Sequence, residues 1–434
     1  MTHATAEAIE ATLDERFDAS DFAGRSVAVA VPDLTRPLDH ARVWPPLLSR
    51  LERADCDVTV VVALGLHRPL TDAELSPIER AASAHGARLI QHDARADDLV
   101  ECAADVAGDR PTWPRLPARF HPAIAEADRV ICVGVVEPHQ YAGFSGGAKT
   151  VAIGCAAEET IGAMHGLEFL RDDRTALGNV DDNPFQRAIW RLSRPLPPIW
   201  GLMCVPQGTA HEAMSDAQGT VHGRSMSDAQ GAVHAAMYDA QGTVQSRLYA
   251  CYGPIEEAFE ACVEVASRAY FTEVDAAFDW LHLPVEGPKA VNFYQASRAA
   301  TYAALVDRPA IRRGGLIVVE AECPEGVGAG AGERACAEAM RRGQRALFAE
   351  LDSDAEVATR GGQQRAYVLA RALERCDIAL VGAEPIDELA AMGIGQFSSL
   401  DEALRAHTPG DRGRTIGDVF SQIPRVRPSS RTID

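Results

Sequence analysis

The sequence predicts an α/β fold of two domains, each with mostly parallel sheets flanked by helices and with an active site in the cleft between them. Three observations carry this. At 434 residues the chain exceeds what one ordinary core organises. Seven short β-rich runs, Val27–Val31, Val58–Leu64, Arg129–Val136, Trp200–Val205, Ala277–Leu283, Leu316–Val319 and Ile378–Val381, are mostly continuously apolar, as strands buried on both faces must be. Helical patterns lie between them at Leu47–Ala54, Ala73–His85, Ile255–Ala269, Ala296–Val306, Arg334–Leu351 and Gln364–Arg375. Strand–helix alternation of this kind builds parallel sheets.

The helix Ile255–Ala269 ends where a new strand-like segment begins, which sets a domain boundary between 1–268 and 269–408. Residues 409–434 are rich in Pro, Arg and Ser and read as a surface tail. Within the first domain, residues 213–244 contain Ser215-Asp-Ala-Gln-Gly, Ser227-Asp-Ala-Gln-Gly and Tyr238-Asp-Ala-Gln-Gly. Each unit suits a hairpin with a glycine turn, so the stretch reads as a duplicated hairpin rather than a solenoid.

The net charge is −20, from 62 acidic and 42 basic residues. Such a surface repels nucleic-acid backbones and anionic lipid, so neither is an expected partner. No apolar run has the roughly 18–20 residues that a membrane helix needs. Residues 1–21 lack a basic start followed by an apolar core, so no signal peptide is expected. The ten cysteines form no C-x-x-C pair, and most sit in apolar runs, as Cys132 does in Val130–Val133. They read as reduced, buried thiols of a cytoplasmic protein.

Chemistry collects just after three of the predicted strands. Asp33-Leu-Thr-Arg-Pro37 follows Val27–Val31, Gly65-Leu-His-Arg-Pro69 follows Val58–Leu64, and the stretch from Pro138 to Thr150 follows Arg129–Val136. In an open parallel sheet the carboxyl ends of the strands share one edge, where ligands bind, so loops distant in sequence can meet. Each cluster also has a plain reading. Thr35-Arg-Pro and His67-Arg-Pro could be simple turns, and a lone histidine is usually structural. Three clusters at equivalent positions, two carrying His67 and His139, favour the functional reading. Histidine exchanges protons near neutral pH without special burial.

Gly143-Phe-Ser-Gly-Gly-Ala-Lys-Thr150 is similar to a phosphate-binding loop, with Ser145, Gly146 and Gly147 letting backbone N–H groups approach an anion. Ala148 stands where the nucleoside-triphosphate motif requires its second glycine, which argues against a kinase or ATPase. Lys149 in such a loop is either a phosphate partner or a covalent anchor. His165 falls on a predicted helix over Glu158–Leu170, four residues after Ile161, where a histidine is ordinarily structural.

Together these residues resemble the nickel-dependent lactate racemases. The resemblance rests on Asp33-x-Thr-Arg-Pro37, Gly65-x-His-Arg-Pro69, His139, Gly143-Phe-Ser-Gly-Gly-x-Lys149 and His165. It covers most of residues 25–190 and, more weakly, 275–400. It implies a nickel-pincer nucleotide, a pyridinium-3,5-bisthiocarboxylic acid mononucleotide that binds nickel. By the same resemblance Lys149 forms its covalent thioamide tether and His165 is the protein ligand to nickel, in a planar set that suits Ni(II). His67 and His139 correspond to catalytic bases on opposite faces of the substrate. Asp33, Thr35 and Arg36 correspond to cofactor- or substrate-binding residues, and Ser145–Gly147 to the surroundings of the cofactor phosphate.

The implied reaction is racemisation or epimerisation of a small anionic 2-hydroxy acid. The α-hydrogen leaves as hydride to the cofactor while a histidine takes the hydroxyl proton, and return to the other face inverts the centre. Arg36 and Arg298 are candidates to grip the carboxylate. Asn292-Phe-Tyr-Gln-Ala-Ser-Arg298 resembles a family segment in which Tyr-Gln precedes a lysine. It nominates Tyr294, Gln295 and Arg298 for the substrate, with arginine in the lysine's place. The sequence also departs from the family at Leu283–Ala290, where a Gly-rich stretch is usual, and at Ile153, where proline is common. The substrate need not be lactate. Separate enzymes must make the cofactor and are expected as loading partners, while the oligomeric state stays open. The competing readings are a phosphate-loop nucleotide enzyme and a homologue that binds the cofactor or a small molecule without catalysis.

Overall fold

The structure is a computed structural model that describes residues 3–34, 36, 38–106, 116–208, 246–353 and 362–428. The duplicated hairpins expected over 213–244 lie outside the described residues. The chain divides into two compact units, the first made of 1–164 with 180–269, the second of 165–179 with 270–434.

In chain order the first unit opens with α1 (His3–Arg16), β1 (Ser26–Pro32), α2 (Pro45–Arg53), β2 (Asp57–Ala63), α3 (Asp72–Ser83) and β3 (Arg88–Gln91). It continues through β4 (Val100–Val106), β5 (Leu116–Phe120), α4 (Pro122–Ala125), β6 (Arg129–Val135), β7 (Pro138–His139) and β8 (Gly143–Phe144). Then come α5 (Lys149–Ala152), α6 (Glu158–Met164) and, in the second unit, α7 (Leu167–Leu170). The chain returns as α8 (Pro184–Ser193), β9 (Ile199–Gly208), β10 (Ser246–Pro254) and a helix over Ile255–Tyr270. The main sheet runs β10-β9-β6-β1-β2-β3. All its neighbours are parallel except the β9–β10 pair.

Six consecutive residues of β1, Val27 to Pro32, are buried, as are six of β6, Val130 to Val135. This is the two-sided burial that continuous apolar runs predict. Leu47, Leu48 and Leu51 of α2 share one buried face and enter the same core as Ile9 and Leu13 of α1 and Ile78 of α3. The helix α1 had no periodic signal in the sequence.

The second unit is built on a five-stranded parallel sheet, with β11 (Phe271–Val274) outside it. The sheet strands are β12 (Phe278–Pro284), β13 (Ile311–Glu320), β14 (Asp377–Val381), β15 (Gly395–Phe397) and β16 (Gly413–Thr415), and β17 (Ile423–Val426) pairs with β11. The order is β15-β14-β13-β12-β16. Residues 165–179 belong here because Leu177 exchanges backbone hydrogen bonds with Leu305 and Asp307, and Arg371 donates to the Leu170 carbonyl at 2.6 Å.

Three sequence expectations change. The surface tail supplies β16 and β17, strands too short to show a period. The helix expected over Arg334–Leu351 is two, Ala331–Arg341 and Gln344–Ser353, separated where Gly343 takes φ +84°. The helix expected over Glu158–Leu170 is broken at His165 and Gly166, between α6 and α7. All ten cysteines are free. Among the described residues no helix is long and apolar enough to cross a membrane.

Gly154 seats α5 against β2. A Cβ there would lie 2.4 Å from the Thr150 carbonyl oxygen and 2.7 Å from the Ala63 Cβ. Gly154→Ala is therefore expected to cost about 1–3 kcal/mol of overpacking. Denaturant unfolding checks this, and an unchanged midpoint would contradict it.

Candidate active site

Three loops leave the carboxyl ends of β2, β1 and β6, which stand side by side in the sheet. Adjacent strands lie about 4.8 Å apart, so the loops after β2 and β6 start roughly 10 Å from one another across β1.

Pairing of Pro32 with Ala63 sets the loops after β1 and β2 at one level. Asp33, 3% exposed, follows Pro32. Gly65 takes φ +56° and His67 N donates to the Leu64 carbonyl, so the chain turns sharply and brings His67 back over the sheet edge. His67 Nδ1 lies 2.6 Å from Asp33 Oδ2. A carboxylate only accepts, so Nδ1 carries a hydrogen, on a ring that is half-exposed. A buried carboxylate that orients an imidazole is the arrangement of a general base.

The next residue has a different task. Arg68 donates to both carboxylate oxygens of Glu74 at 2.8 Å. Glu74 also accepts from Thr71 N at 2.8 Å, while the Thr71 hydroxyl caps Glu74 N at the start of α3. The Arg68 guanidinium, helped by the Thr71 cap, holds the Glu74 carboxyl down at about 2, against the burial that opposes it. Arg68 thus ties the His67 loop to a helix end.

After β1, Arg36 N closes a turn onto the Asp33 carbonyl, and Arg36 Nε lies 4.0 Å from Glu137 Oε1. His40 is buried and accepts from Trp44 Nε1 at 3.2 Å. Burial pushes it down to about 4, although Asp39 and Asp33 pull the other way. Thr35, expected to bind cofactor or substrate, lies outside the described residues.

After β6, His139 Nδ1 accepts from Tyr141 N and Ala142 N, each at 3.2 Å. Ser145, 2% exposed, donates its hydroxyl to the Val135 carbonyl at 2.8 Å and accepts from Glu137 N at 3.1 Å. A Cβ on Gly146 would lie 2.9 Å from Val136 Cγ2, and one on Gly147 2.7 Å from the Phe259 ring. Gly147 N itself points to Met203 Sδ at 3.2 Å. The stretch expected to surround the cofactor phosphate, Ser145, Gly146 and Gly147, is therefore closely packed. Close packing explains the glycines, and the Ser145 hydroxyl is spent on its own loop.

Lys149 begins α5 and is half-buried. Burial first, and Arg36 second, lower its amine to about 7, with Glu137 and Asp33 opposing. Asp33, Arg36, His67, Glu137 and Lys149 therefore form one electrostatic neighbourhood, with His139 two residues from Glu137.

The other nominated residues belong to the second unit. His165 lies in the break between α6 and α7, not on the helix face expected for it, because Gly166 follows it directly. Tyr294, Gln295 and Arg298 lie on the helix Phe293–Ala304, where Asn292 caps Gln295 N at 3.0 Å. Gln295 is buried, and Tyr294 and Arg298 are half-buried and four residues apart on one face. Among the described residues no group of three or more His, Cys, Asp or Glu could hold a metal ion.

Sequence reasoning had not joined Asp33 to His67 and had missed Glu137 and Glu74. Thr71-x-x-Glu74 is a capping-box pattern that could have identified Glu74. Glu137 carries no local signal.

Residues 2–178 match the lactate racemase N-terminal domain family. The chain is 28% identical over 165 residues to a lactate racemase of Thermoanaerobacterium thermosaccharolyticum, covering 38% of this chain and 37% of that protein. It is 28% identical over 190 residues to one of Lactiplantibacillus plantarum, covering 42% and 43%. The matches thus span well under half the length of these relatives. The fold is similar to that of the lactate racemase apoprotein from T. thermosaccharolyticum, with TM-score 0.74, 21% identity and coverage of 98% of this chain and 93% of that one. A protein from Thermotoga maritima is more distant, with TM-score 0.57, 16% identity and coverage of 98% and 97%.

Two outcomes are expected. Because the Glu74 carboxyl is depressed from 4.5 to about 2, its contribution to stability is complete above 4.5 and lost as pH falls towards 2. Glu74→Gln should cost about 1 kcal/mol at pH 7, the size of a lost cap. The difference from the native protein should close near pH 2, as denaturant titrations at several pH values will read. The chain has only two lysines, Lys149 and Lys289, and Lys289 is 5% exposed with its Nζ over the Phe420 ring. Acylation of Lys149, followed by peptide mass spectrometry, should accelerate as pH rises through about 7 and level off above it. A rate still climbing tenfold per pH unit at pH 9 would show an ordinary amine.

Proposed function

Residues 2–178 belong to the lactate racemase N-terminal domain family, and on that premise we propose that the protein racemises or epimerises a small 2-hydroxy acid with a nickel-pincer nucleotide tethered at Lys149. The observation that carries the reading is the 2.6 Å contact between Asp33 and His67, beside a lysine whose amine is lowered to about 7. That amine fits the tether, since only its neutral form attacks a thioacid carbon. Of the chain's residues, Lys149 would hold the cofactor covalently and His165 would ligate nickel. One imidazole together with the nucleotide's own sulfur and carbon donors requires no cluster of protein ligands. When bound, the group supplies a reversible store for hydride.

This chain's residues do the rest. His67 Nε2 takes the hydroxyl proton, and the Asp33 carboxylate faces the imidazolium that results. Arg36 is proposed to hold the substrate carboxylate, since its guanidinium offers the two parallel N–H groups such a group accepts. Tyr294, Gln295 and Arg298 complete the proposed substrate contacts, and His139 is the second imidazole. A phosphate-loop nucleotide enzyme is less favoured, because Gly147 N and the Ser145 hydroxyl are already engaged. The protein is proposed to work in the cytoplasm, loaded by separate cofactor-synthesis enzymes.

The test is to load the protein, weigh it intact and incubate it with single-enantiomer hydroxy acids. The expected result is an adduct of mononucleotide size at Lys149, about one nickel, and loss of optical purity. His67→Ala should keep the adduct and lose roughly 10²–10⁴-fold in rate. Loaded protein that racemises no hydroxy acid would favour an inactive cofactor-binding homologue, and full activity in His67→Ala would overturn the assignment of the base.

A further inference from the structure

We propose that Glu333 is a positioning residue for the substrate contacts: its buried carboxylate, acting through Asn292, sets the first turn of the helix Phe293–Ala304 and so fixes Gln295. The inference deepens the racemase reading above, which gives Tyr294, Gln295 and Arg298 to the hydroxy acid, and it rests on that reading.

The argument starts from a chain of three hydrogen bonds. Gly330 N donates to Glu333 Oε2 at 2.7 Å, Asn292 Nδ2 donates to Glu333 Oε1 at 3.2 Å, and Gln295 N donates to Asn292 Oδ1 at 3.0 Å. With one oxygen Glu333 closes the first turn of its own helix, Ala331–Arg341, and with the other it reaches the start of a second helix. Asn292, Gln295 and Glu333 are all buried. A buried carboxylate is costly unless donors meet it, and the N-terminus of an 11-residue helix favours its charge. The loop before that helix makes room for it. Gly328 takes φ +110°, and a Cβ there would lie 2.6 Å from Glu333 Oε2.

Asn292 has no freedom in this arrangement. Turned over, its amide would present NH2 to the Gln295 N–H and oxygen to the carboxylate, and both bonds would be lost. The carboxylate therefore dictates which way the amide faces, and the amide dictates where the helix begins. The chain entering the helix lies against the same loop, with Phe293 N donating to the Gly326 carbonyl at 2.8 Å and Glu325 N to the Val291 carbonyl at 3.0 Å. The body of the helix is fixed separately, since Arg365 donates to Ser297 Oγ at 2.8 Å and to Thr301 Oγ1 at 3.0 Å. Loss of the Glu333 contact should consequently loosen the first turn, which carries Tyr294 and Gln295, and leave the rest helical. The Gln295 side-chain amide has no hydrogen-bond partner among the described residues, so it is a buried polar group that a ligand can satisfy. Holding such a group in place beforehand spares the ordering cost that binding would otherwise carry.

The test reverses the polarity of the pair. Glu333→Gln alone leaves one of two donors, Asn292 Nδ2 or Gly330 N, facing an NH2 group. Asn292→Asp alone sets two carboxylates against each other. Together, Asn292→Asp with Glu333→Gln restores the contact. The new carboxylate still accepts from Gln295 N, and the new amide donates to it while its oxygen accepts from Gly330 N. In the bare, full-length protein, hydrogen exchange over residues 293–297 is read by peptide mass spectrometry at pH 8. It should speed by about tenfold in each single variant and return to within about threefold of native in the swapped pair. In loaded protein, each single variant should raise KM for the hydroxy acid by about tenfold with kcat within about threefold, and the swapped pair should recover KM. Asn292→Ser keeps an oxygen for Gln295 N and removes the donor to Glu333, so it decides the matter if the swapped pair does not fold. Native exchange in that variant would overturn the proposal. So would a swapped pair no better than the single variants, or an unchanged KM in Glu333→Gln. If loaded native protein racemises nothing, the racemase reading fails and the substrate role with it, while the exchange rates still decide whether Glu333 holds the turn.

Discussion

Parallel pairing of β1 with β2 is the constraint on which the site depends. It sets Pro32 level with Ala63, so Asp33 and the His67 loop leave the sheet together. In β1 the valines at 27, 29 and 31 alternate with alanines at 28 and 30, so a one-residue slip would exchange large for small side chains on each face, which holds the register. Two side chains 34 residues apart in sequence thereby meet at 2.6 Å. On the other side of β1, pairing of Ala30 with Cys132 places the β6 loop in the same row. The core thus positions the chemistry, and the loops need only short turns to complete it.

The electrostatics follow from that geometry. The chain is strongly acidic, yet the row at the sheet edge gathers Arg36 and Lys149 with Asp33 and Glu137. Burying Asp33 is costly unless its charge is met by hydrogen-bond donors, and His67 is one of them. Lys149 is desolvated beside a like charge, so it loses its proton more readily than a surface lysine. The motif Gly65-x-His-Arg-Pro69 divides the labour between neighbours. The glycine turns the chain, His67 faces the carboxylate, and Arg68 fastens the loop to the first turn of α3.

The sequence made the sheet and its functional edge legible because burial on both faces leaves continuous apolar runs, each followed by a polar cluster. Where reading failed, the deciding contact came from elsewhere in the fold. Glycines at 146 and 147 look alike whether they cradle a phosphate or make room for Val136 and Phe259, and only tertiary neighbours tell the two apart. His165 has apolar residues at helical spacing before it, yet Gly166 stops the helix at that point. Residues 165–179 pack with the second unit through Leu177, which no local pattern announces. The neighbours of His67 and His139 were equally hidden, because both are single histidines after a strand and differ in what meets Nδ1.

The balance of basic residues sharpens the role proposed for Lys149. Of 42 basic residues, only Lys149 and Lys289 are lysine. A guanidinium serves wherever a fixed positive charge or a forked donor is enough, and this chain uses it even at Arg298, where the family it resembles has lysine. A guanidinium keeps its proton at any pH a protein survives, so it cannot become the neutral nucleophile that a covalent tether demands. A primary amine can, once burial and a neighbouring cation have brought it near neutrality. A chain that writes arginine almost everywhere has kept lysine at the head of α5, where Arg36 and burial together produce that amine. On the racemase reading, position 149 is therefore fixed by the chemistry of nitrogen rather than by charge.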